Sequence, residues 1–180
     1  KALITTEVGQ NQIWAAQFYK YTEPKQFISS GGLGTMGFGL GACIGAQIGR
    51  PDRKVINIAG DGSFRMNCTE LATAVEYKLP IIIAILNNRV LGMVRQWQRL
   101  FYGGRFSSTT IERGTDFAAL AEAYGAVGIN VTRPEEVDDA FKTALASTDR
   151  PVVINFVIDK DECVFPIVPP GKPIHELIEE

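Results

Sequence analysis

Histidine is almost missing from this sequence: His175 stands alone in a proline-rich stretch near the end, where a catalytic histidine is not expected. Cysteine is scarce too. Cys43, Cys68 and Cys163 are odd in number and far apart, with neither metal-ligand spacing nor a disulfide framework, which suits a reducing cytosol. Cys43 and Cys68 fall in helical patterns, where a small buried hydrophobe is expected. Charge of one sign is lacking as well. A net charge of −2 gives no electrostatic case for nucleic acid or an anionic membrane. Apolar runs stop short of the roughly 20 residues that a membrane span needs, and no basic-apolar-small signal segment opens the chain. A cytoplasmic location without nucleic-acid or membrane partners is the expectation. Repeats and low-complexity segments are not found.

What is present is apolar residue in quantity. With 180 residues, 46% of them hydrophobic, the chain can bury a substantial single core. It opens KALITTEVGQ, at the first residues of a strand and without an initiator Met, and reads as one piece of a longer protein. Short strands are predicted at 2–6, 26–29, 54–59, 81–86, 126–131 and 151–158. Helices are predicted at 11–19, with Ile13, Trp14 and Phe18 on the apolar side, then to about 48, through 70–77, over 90–101, and at 116–124 and 134–147. Residues 103–114 read as a long polar loop, of the kind that forms lids or binding segments. Alternation of strand and helix predicts an α/β fold, a doubly wound, six-stranded parallel sheet with helices on both faces. The domain is expected to span 1–158, with a proline-containing tail, 159–180, lying across its surface.

The densest chemistry lies between Gly60 and Asn88. Gly60-Asp61-Gly62 ends one apolar strand and Asn87-Asn88 ends the next, with 24 residues between them. In a parallel sheet both ends reach the edge at which open α/β sheets bind ligands, so Asp61 and Asn88 are expected side by side. One carboxylate and one amide oxygen are hard donors, too few to enclose a metal but suited to Mg²⁺, which completes its shell with water and phosphate oxygens at about 2.0–2.1 Å. Gly62 and Ser63 are expected to open a helix whose free N–H groups favour an anion. Each turn taken alone is ordinary loop chemistry; together, after strands, they favour a Mg²⁺-bound diphosphate.

Two further turns are candidates. Val8-Gly9-Gln10-Asn11 follows the first strand, though it reads equally well as a plain turn with a helix cap by Gln10 or Asn11. Gly31 to Gly39 carries Gly32, Gly34 and Gly37 in the spacing G-x-G-x-x-G, which keeps a Rossmann dinucleotide-binding domain in contention. The ribose acid of that motif is poorly placed here, since Asp52 lies in a turn before a strand and Asp61 comes late. Missing Cβ atoms also let a backbone approach a flat ligand. Met36 is then either a core gap-filler or a support for a ligand ring. The helical run 90–101 places apolar residues at 90, 93, 94, 97, 100 and 101, as in an amphipathic core helix or a wall of the site.

The GDG…NN pair resembles the cofactor signature of thiamine-diphosphate enzymes. Over nearly its whole length the chain is similar to the C-terminal, diphosphate-binding domain of the acetolactate synthase (acetohydroxyacid synthase) large subunit. That resemblance rests on Ser30-Gly31-Gly32-Leu33-Gly34-Thr35-Met36-Gly37, on Gly92-Met93-Val94-Arg95-Gln96-Trp97-Gln98 with Leu100-Phe101-Tyr102, and on Val164-Phe165-Pro166 with Val168-Pro169-Pro170-Gly171. It implies Mg²⁺ held by Asp61, Asn88 and the carbonyl of Val90. It implies cofactor contacts from Val8, Gly9, Gln10, Asn11, Gly34, Met36, Gly60, Asp61, Gly62, Ser63, Asn88, Gly92 and Met93, with Met36 as the wedge that bends thiamine diphosphate. Met93, Val94 and Trp97 would line the substrate channel.

The implied reaction joins the two-carbon unit left by decarboxylation of pyruvate to a second 2-oxo acid, giving 2-acetolactate or 2-aceto-2-hydroxybutyrate for branched-chain amino-acid biosynthesis. The resemblance also implies a homodimer or tetramer of the complete subunit, a small regulatory subunit, and FAD held mainly on a domain outside this chain. The activating glutamate belongs to the N-terminal domain of a partner subunit, so no catalytic residue is expected in this chain and the chain alone is expected to be inactive. Three positions depart from the family's pattern: Asn11 for His, Gly41 for Pro and Arg89 for Gly. Asn11 can still donate to a phosphate oxygen but cannot titrate. Another thiamine-diphosphate carboligase or decarboxylase, a Rossmann oxidoreductase domain and a vestigial binding module remain as alternatives.

Overall fold

The structure, a computed structural model, describes residues 2–179; the first residue of the expected domain and the last of the expected tail lie outside them. The elements run β1 (Leu3–Thr6), α1 (Gln10–Phe18), β2 (Phe27–Ile28), α2 (Phe38–Gly49), β3 (Val55–Gly60), α3 (Asp61–Asn67), α4 (Leu71–Glu76), β4 (Ile82–Asn87), α5 (Gly92–Phe101), α6 (Phe117–Ala123), β5 (Val127–Val131), α7 (Val137–Ala146) and β6 (Val152–Val157). The strands form one six-stranded sheet in the order β2-β1-β3-β4-β6-β5. Every pair is parallel. This is the expected doubly wound α/β sheet.

The apolar runs explain which strands are central. β4 and β6 consist almost wholly of Ile, Val, Leu, Ala and Phe and are buried along nearly their whole length, as strands covered on both faces must be. Alternate side chains supply the two cores. Ile83, Ile85, Val55, Ala59 and Val153 pack beneath Leu40 and Ile44 of α2, Phe64 of α3, Leu71 of α4 and Phe117 of α6. Ile82, Ala84, Val152, Ile154 and Phe156 pack beneath Ala140 and Ala144 of α7 on the opposite face. Each fully buried Ile is worth about 1.5–3 kcal/mol. Helix α2 sits unusually close to the sheet, because a Cβ on Gly39 would lie 2.6 Å from the Glu7 nitrogen and 2.7 Å from the Thr6 carbonyl carbon.

The chain leaves β1 toward β2 and leaves β3 toward β4, in opposite directions across the sheet. Right-handed crossovers therefore place α1 and α2 on opposite faces. The crevice between β1 and β3 is the switch point at which ligands bind such sheets. Registers of Thr6 with Ile58 and of Gly60 with Leu86 bring the ends of β1, β3 and β4 to one rim.

Three expectations change. Helix α1 buries Gln10, Asn11 and Ala15, whereas Ile13 and Trp14 are half-buried and Phe18 is 76% exposed. Its inward side meets the polar rim of the sheet, not its core. The helical segment after Asp61 is broken, with a 3-10 turn at Cys68–Glu70 between α3 and α4, and Cys68 is half-buried while Cys43 is fully enclosed. The segment after β6 does not simply lie on the surface: Val164 is 1% exposed. Among the described residues no helix is long and apolar enough to cross a membrane.

Candidate functional site

At the rim of β1, β3 and β4 is a cavity of ≈ 230 Å³. Its wall is drawn mainly from the three turns singled out in the sequence, Val8 to Asn11, Gly60 to Ser63, and Asn88 with Val90 to Val94, together with the first turn of α1 and Leu86. Met36 reaches it from the glycine-rich turn, whose residues 31–35 are exposed to solvent. Gly34 is not on the wall; an added Cβ there would meet Val8 at 4.0 Å. Trp97 borders an adjoining surface hollow that shares Met93 and Val94 with the cavity. The N-termini of α1 and α3 both border the cavity, so two sets of unpaired helical N–H groups favour an anion there.

Asp61 is the first residue of α3, with Gly60 before it in extended conformation; the helix opens one residue earlier than expected. The carboxylate is buried, and burial pushes its pKa up to about 6 against the opposing pull of the Asp61, Gly62 and Asn88 N–H groups and Arg65. No salt bridge of the described residues reaches it. A buried carboxylate short of counter-charge is a good place for a cation. Asn88 is 8% exposed and its Oδ1 accepts from the Val90 N–H at 3.2 Å, leaving a second lone pair. The Val90 carbonyl accepts no backbone hydrogen bond among the described residues. The Leu91 and Ile111 amides bond across to Thr109 and Arg89, which fixes this turn through an isolated bridge between Val90 and Thr110. The polar loop thereby packs onto the site's rim. Carboxylate, amide oxygen and carbonyl are the hard, incomplete donor set that suits Mg²⁺. Among the described residues no group of three or more His, Cys, Asp or Glu side chains could replace it.

Several side chains placed at the site by sequence are engaged elsewhere. Ser63 Oγ donates to Glu7 at 2.6 Å and accepts from the Val8 and Gly37 amides at 3.4 and 3.1 Å. Asn11 was expected to be able to donate to a phosphate. Its Nδ2 instead donates to the Glu7 and Ile58 carbonyls at 3.0 and 2.9 Å, so both donors are engaged. Gln10 is enclosed between Asn88, Gln96 and the Glu162 carbonyl.

Two residues escaped the sequence reading. Glu7 is fully buried at the end of β1, accepting from Gly37 N–H at 2.8 Å and Leu40 N–H at 3.0 Å. A carboxylate immediately after a predicted strand and before a candidate turn was the available signal. Its position removes the Rossmann reading: Glu7 fills the N-terminus of α2, where the fingerprint would seat a pyrophosphate. Gln96 is 2% exposed although it lies off the apolar positions of its helix, so periodicity gives no signal of its burial. Of those positions, Val94 and Trp97 are 50% and 39% exposed and Met93, Leu100 and Phe101 half-buried, as in a wall and not in a core helix.

Residues 7–156 match the family described as thiamine pyrophosphate enzyme, C-terminal TPP binding domain. The chain is 49% identical over 178 residues to the acetolactate synthase isozyme 2 large subunit of Escherichia coli, covering 99% of this chain and 32% of that protein. It is 48% identical over 177 residues to a probable acetolactate synthase large subunit of Methanococcus aeolicus, covering 98% of this chain and 29% of that protein. It is 48% identical over 174 residues to the acetolactate synthase large subunit of Corynebacterium glutamicum, covering 94% of this chain and 28% of that protein. The chain thus spans about a third or less of the length of these relatives.

Proposed function

The chain belongs to the C-terminal TPP-binding domain family of thiamine pyrophosphate enzymes, and from that premise we propose that it forms the diphosphate- and Mg²⁺-binding half of an acetolactate synthase. The observation that carries the reading is the convergence of Asp61, Asn88 and Val90 on one cavity beside two helix N-termini. Asp61, the Asn88 amide oxygen and the Val90 carbonyl hold Mg²⁺, and the metal in turn supplies the charge that the Asp61 carboxylate lacks. The turn Val8-Gly9-Gln10-Asn11, with Gly60, Gly62 and Ser63, walls the diphosphate site. The N–H groups at the starts of α1 and α3 take the anion, since the Val8 N–H and the Ser63, Asn11 and Gln10 side-chain donors are otherwise engaged.

Thiamine diphosphate, when bound, supplies the carbanion chemistry that decarboxylates pyruvate and joins its two-carbon remainder to a second 2-oxo acid. Met36, Gly92 and Met93, which line the cavity, would contact the cofactor, with Met36 as the support for its bent form, and Gly34 would shape the turn that carries Met36. Met93, Val94 and Trp97 form the substrate-channel wall, which is supported by their shared hollow outside the cavity. A ≈ 230 Å³ cavity is below the roughly 300 Å³ at which small-molecule sites begin, as befits a site shared with another domain. We place the pyrimidine-binding surface, the activating glutamate and FAD on parts of the complete subunit outside this chain. The designation of relatives as large subunits supports a smaller regulatory partner, and a shared site supports a homodimer or larger assembly.

Calorimetric titration of the chain with thiamine diphosphate tests this reading. Binding that requires Mg²⁺, disappears in Asp61→Ala, is absent with NADH and is accompanied by no acetolactate formation is expected. NADH binding, or cofactor binding indifferent to Asp61, would overturn it.

A further inference from the structure

Four buried groups join the metal rim to the segment that follows β6. Asn88 Nδ2 donates to Gln10 Oε1 at 3.2 Å. Gln10 Nε2 donates to Gln96 Oε1 at 3.1 Å and to the Glu162 carbonyl at 2.9 Å. Gln96 clasps the Val164 backbone, with Nε2 donating to its carbonyl at 2.8 Å and Oε1 accepting from its N–H at 2.9 Å. Gln10, Asn88, Gln96 and Val164 are all buried, so no bulk water substitutes for a partner facing the wrong way.

The polarity of this chain is fixed at its backbone end. A peptide N–H cannot accept and a peptide carbonyl cannot donate, so Val164 dictates which end of the Gln96 amide faces it. The Gln96 oxygen then demands the Gln10 NH₂ group, an orientation that the Glu162 carbonyl demands independently. Gln10 is left with its oxygen toward Asn88, which must answer with Nδ2. Asn88 Oδ1 is thereby turned to the Val90 side, where the Val90 N–H holds it. Room for the relay depends on Gly92, since any Cβ there would run into the Gln10 amide oxygen.

We propose that Gln10 and Gln96 are positioning residues that transmit the polarity of the Glu162–Val164 backbone to Asn88 and so hold its amide oxygen toward the metal. The inference rests on the reading of Asn88 as a metal ligand. Neither glutamine touches the metal; they act by turning the Gln10 oxygen toward Asn88, so that a reversed Asn88 amide would face it acceptor to acceptor. Gln96→Glu is the discriminating change: its second oxygen would face the Val164 carbonyl acceptor to acceptor, so the clasp opens and the oxygen that orients Gln10 is displaced. Gln17→Leu is the control: Gln17 holds the same following segment through the Phe165 carbonyl at 3.1 Å but lies outside the relay.

The test measures hydrogen exchange of the Asn88 side-chain NH₂ by NMR in the ¹⁵N-labelled chain, and Mn²⁺ affinity in the presence of thiamine diphosphate by electron paramagnetic resonance. Expected are a protected Asn88 NH₂ in the unaltered chain, and exchange about 10-fold faster with Mn²⁺ binding about 10–100-fold weaker in Gln96→Glu. Gln17→Leu is expected to change neither. Equal exchange and equal Mn²⁺ affinity in Gln96→Glu, or the same losses in Gln17→Leu, would overturn the relay. If Gln96→Glu does not fold, the unaltered chain decides: freely exchanging Asn88 and Gln10 NH₂ groups overturn the inference and protected ones uphold it. Mn²⁺ binding that is already absent in the unaltered chain removes the metal reading itself, whereas binding equal in both overturns the relay alone.

Discussion

Asp61 carries a charge where burial opposes it, and that opposition has a measurable sign. Below about pH 4 the carboxyl is protonated in both folded and unfolded chains. As pH rises from the unfolded value near 3.9 through the folded value of about 6, the unfolded chain releases its proton first. Stability of the metal-free protein is therefore lost across that window, by on the order of 2–3 kcal/mol. Asp61→Asn abolishes the loss: thermal unfolding without metal is expected to show the variant several degrees more stable at pH 8 and level with the unaltered chain at pH 4. A gap that is the same at both pH values would refute the assignment. With Asp61 as the proposed Mg²⁺ ligand, cofactor binding that depends on Mg²⁺ is expected to weaken as pH falls below about 6, which calorimetric titration at pH 5 and pH 7 checks. Asp61 and Asn88 could be read from sequence because each follows an apolar run and carries hard oxygen. Glu7 and Gln96 could not be placed as readily, because their partners lie 30–68 residues away.

At the level of single elements, periodicity located the helices but misassigned the inward side of α1, and for α5 it left core helix and site wall both open. Both border the polar rim, so Gln10, Asn11 and Gln96 go inward while Phe18, Val94 and Trp97 stay exposed. Phe18→Ser is accordingly expected to change the unfolding free energy by no more than about 0.5 kcal/mol. Phe64→Ala in the fully enclosed start of α3 should cost about 3–5 kcal/mol. Urea titration of both variants decides; a costly Phe18→Ser would mean that α1 packs through the face the sequence first suggested. Helix α6 behaves as its sequence reads, with Asp116 capping the Ala118 and Ala119 amides at 3.1 and 3.0 Å.

Across the whole molecule, class and number of strands were legible because each strand is a β-branched run between helical patterns. Strand order was not read from the sequence, although the contrast between β5 and β6 bears on it, because the chain skips a place after β4 before returning. Burial settles it. The almost wholly apolar β6 takes the inner position, and β5, with Gly128 and half-exposed residues, takes the edge.

Glu7 has one more consequence, for the way the molecule opens. Its carboxylate ties the end of β1 to Gly37, Leu40 and Ser63, which lie 30, 33 and 56 residues onward. The N-terminus of α2 and the start of α3, the second of them on the cavity wall, are thus fastened to one carboxylate and loosen together. Native-state exchange of the Gly37 and Leu40 amides should report a single cooperative opening at the global unfolding free energy, with independent, shallow openings as the contrary result. A crevice fastened in this way is preformed: its ligand meets finished walls and gives up little of its binding energy to order them.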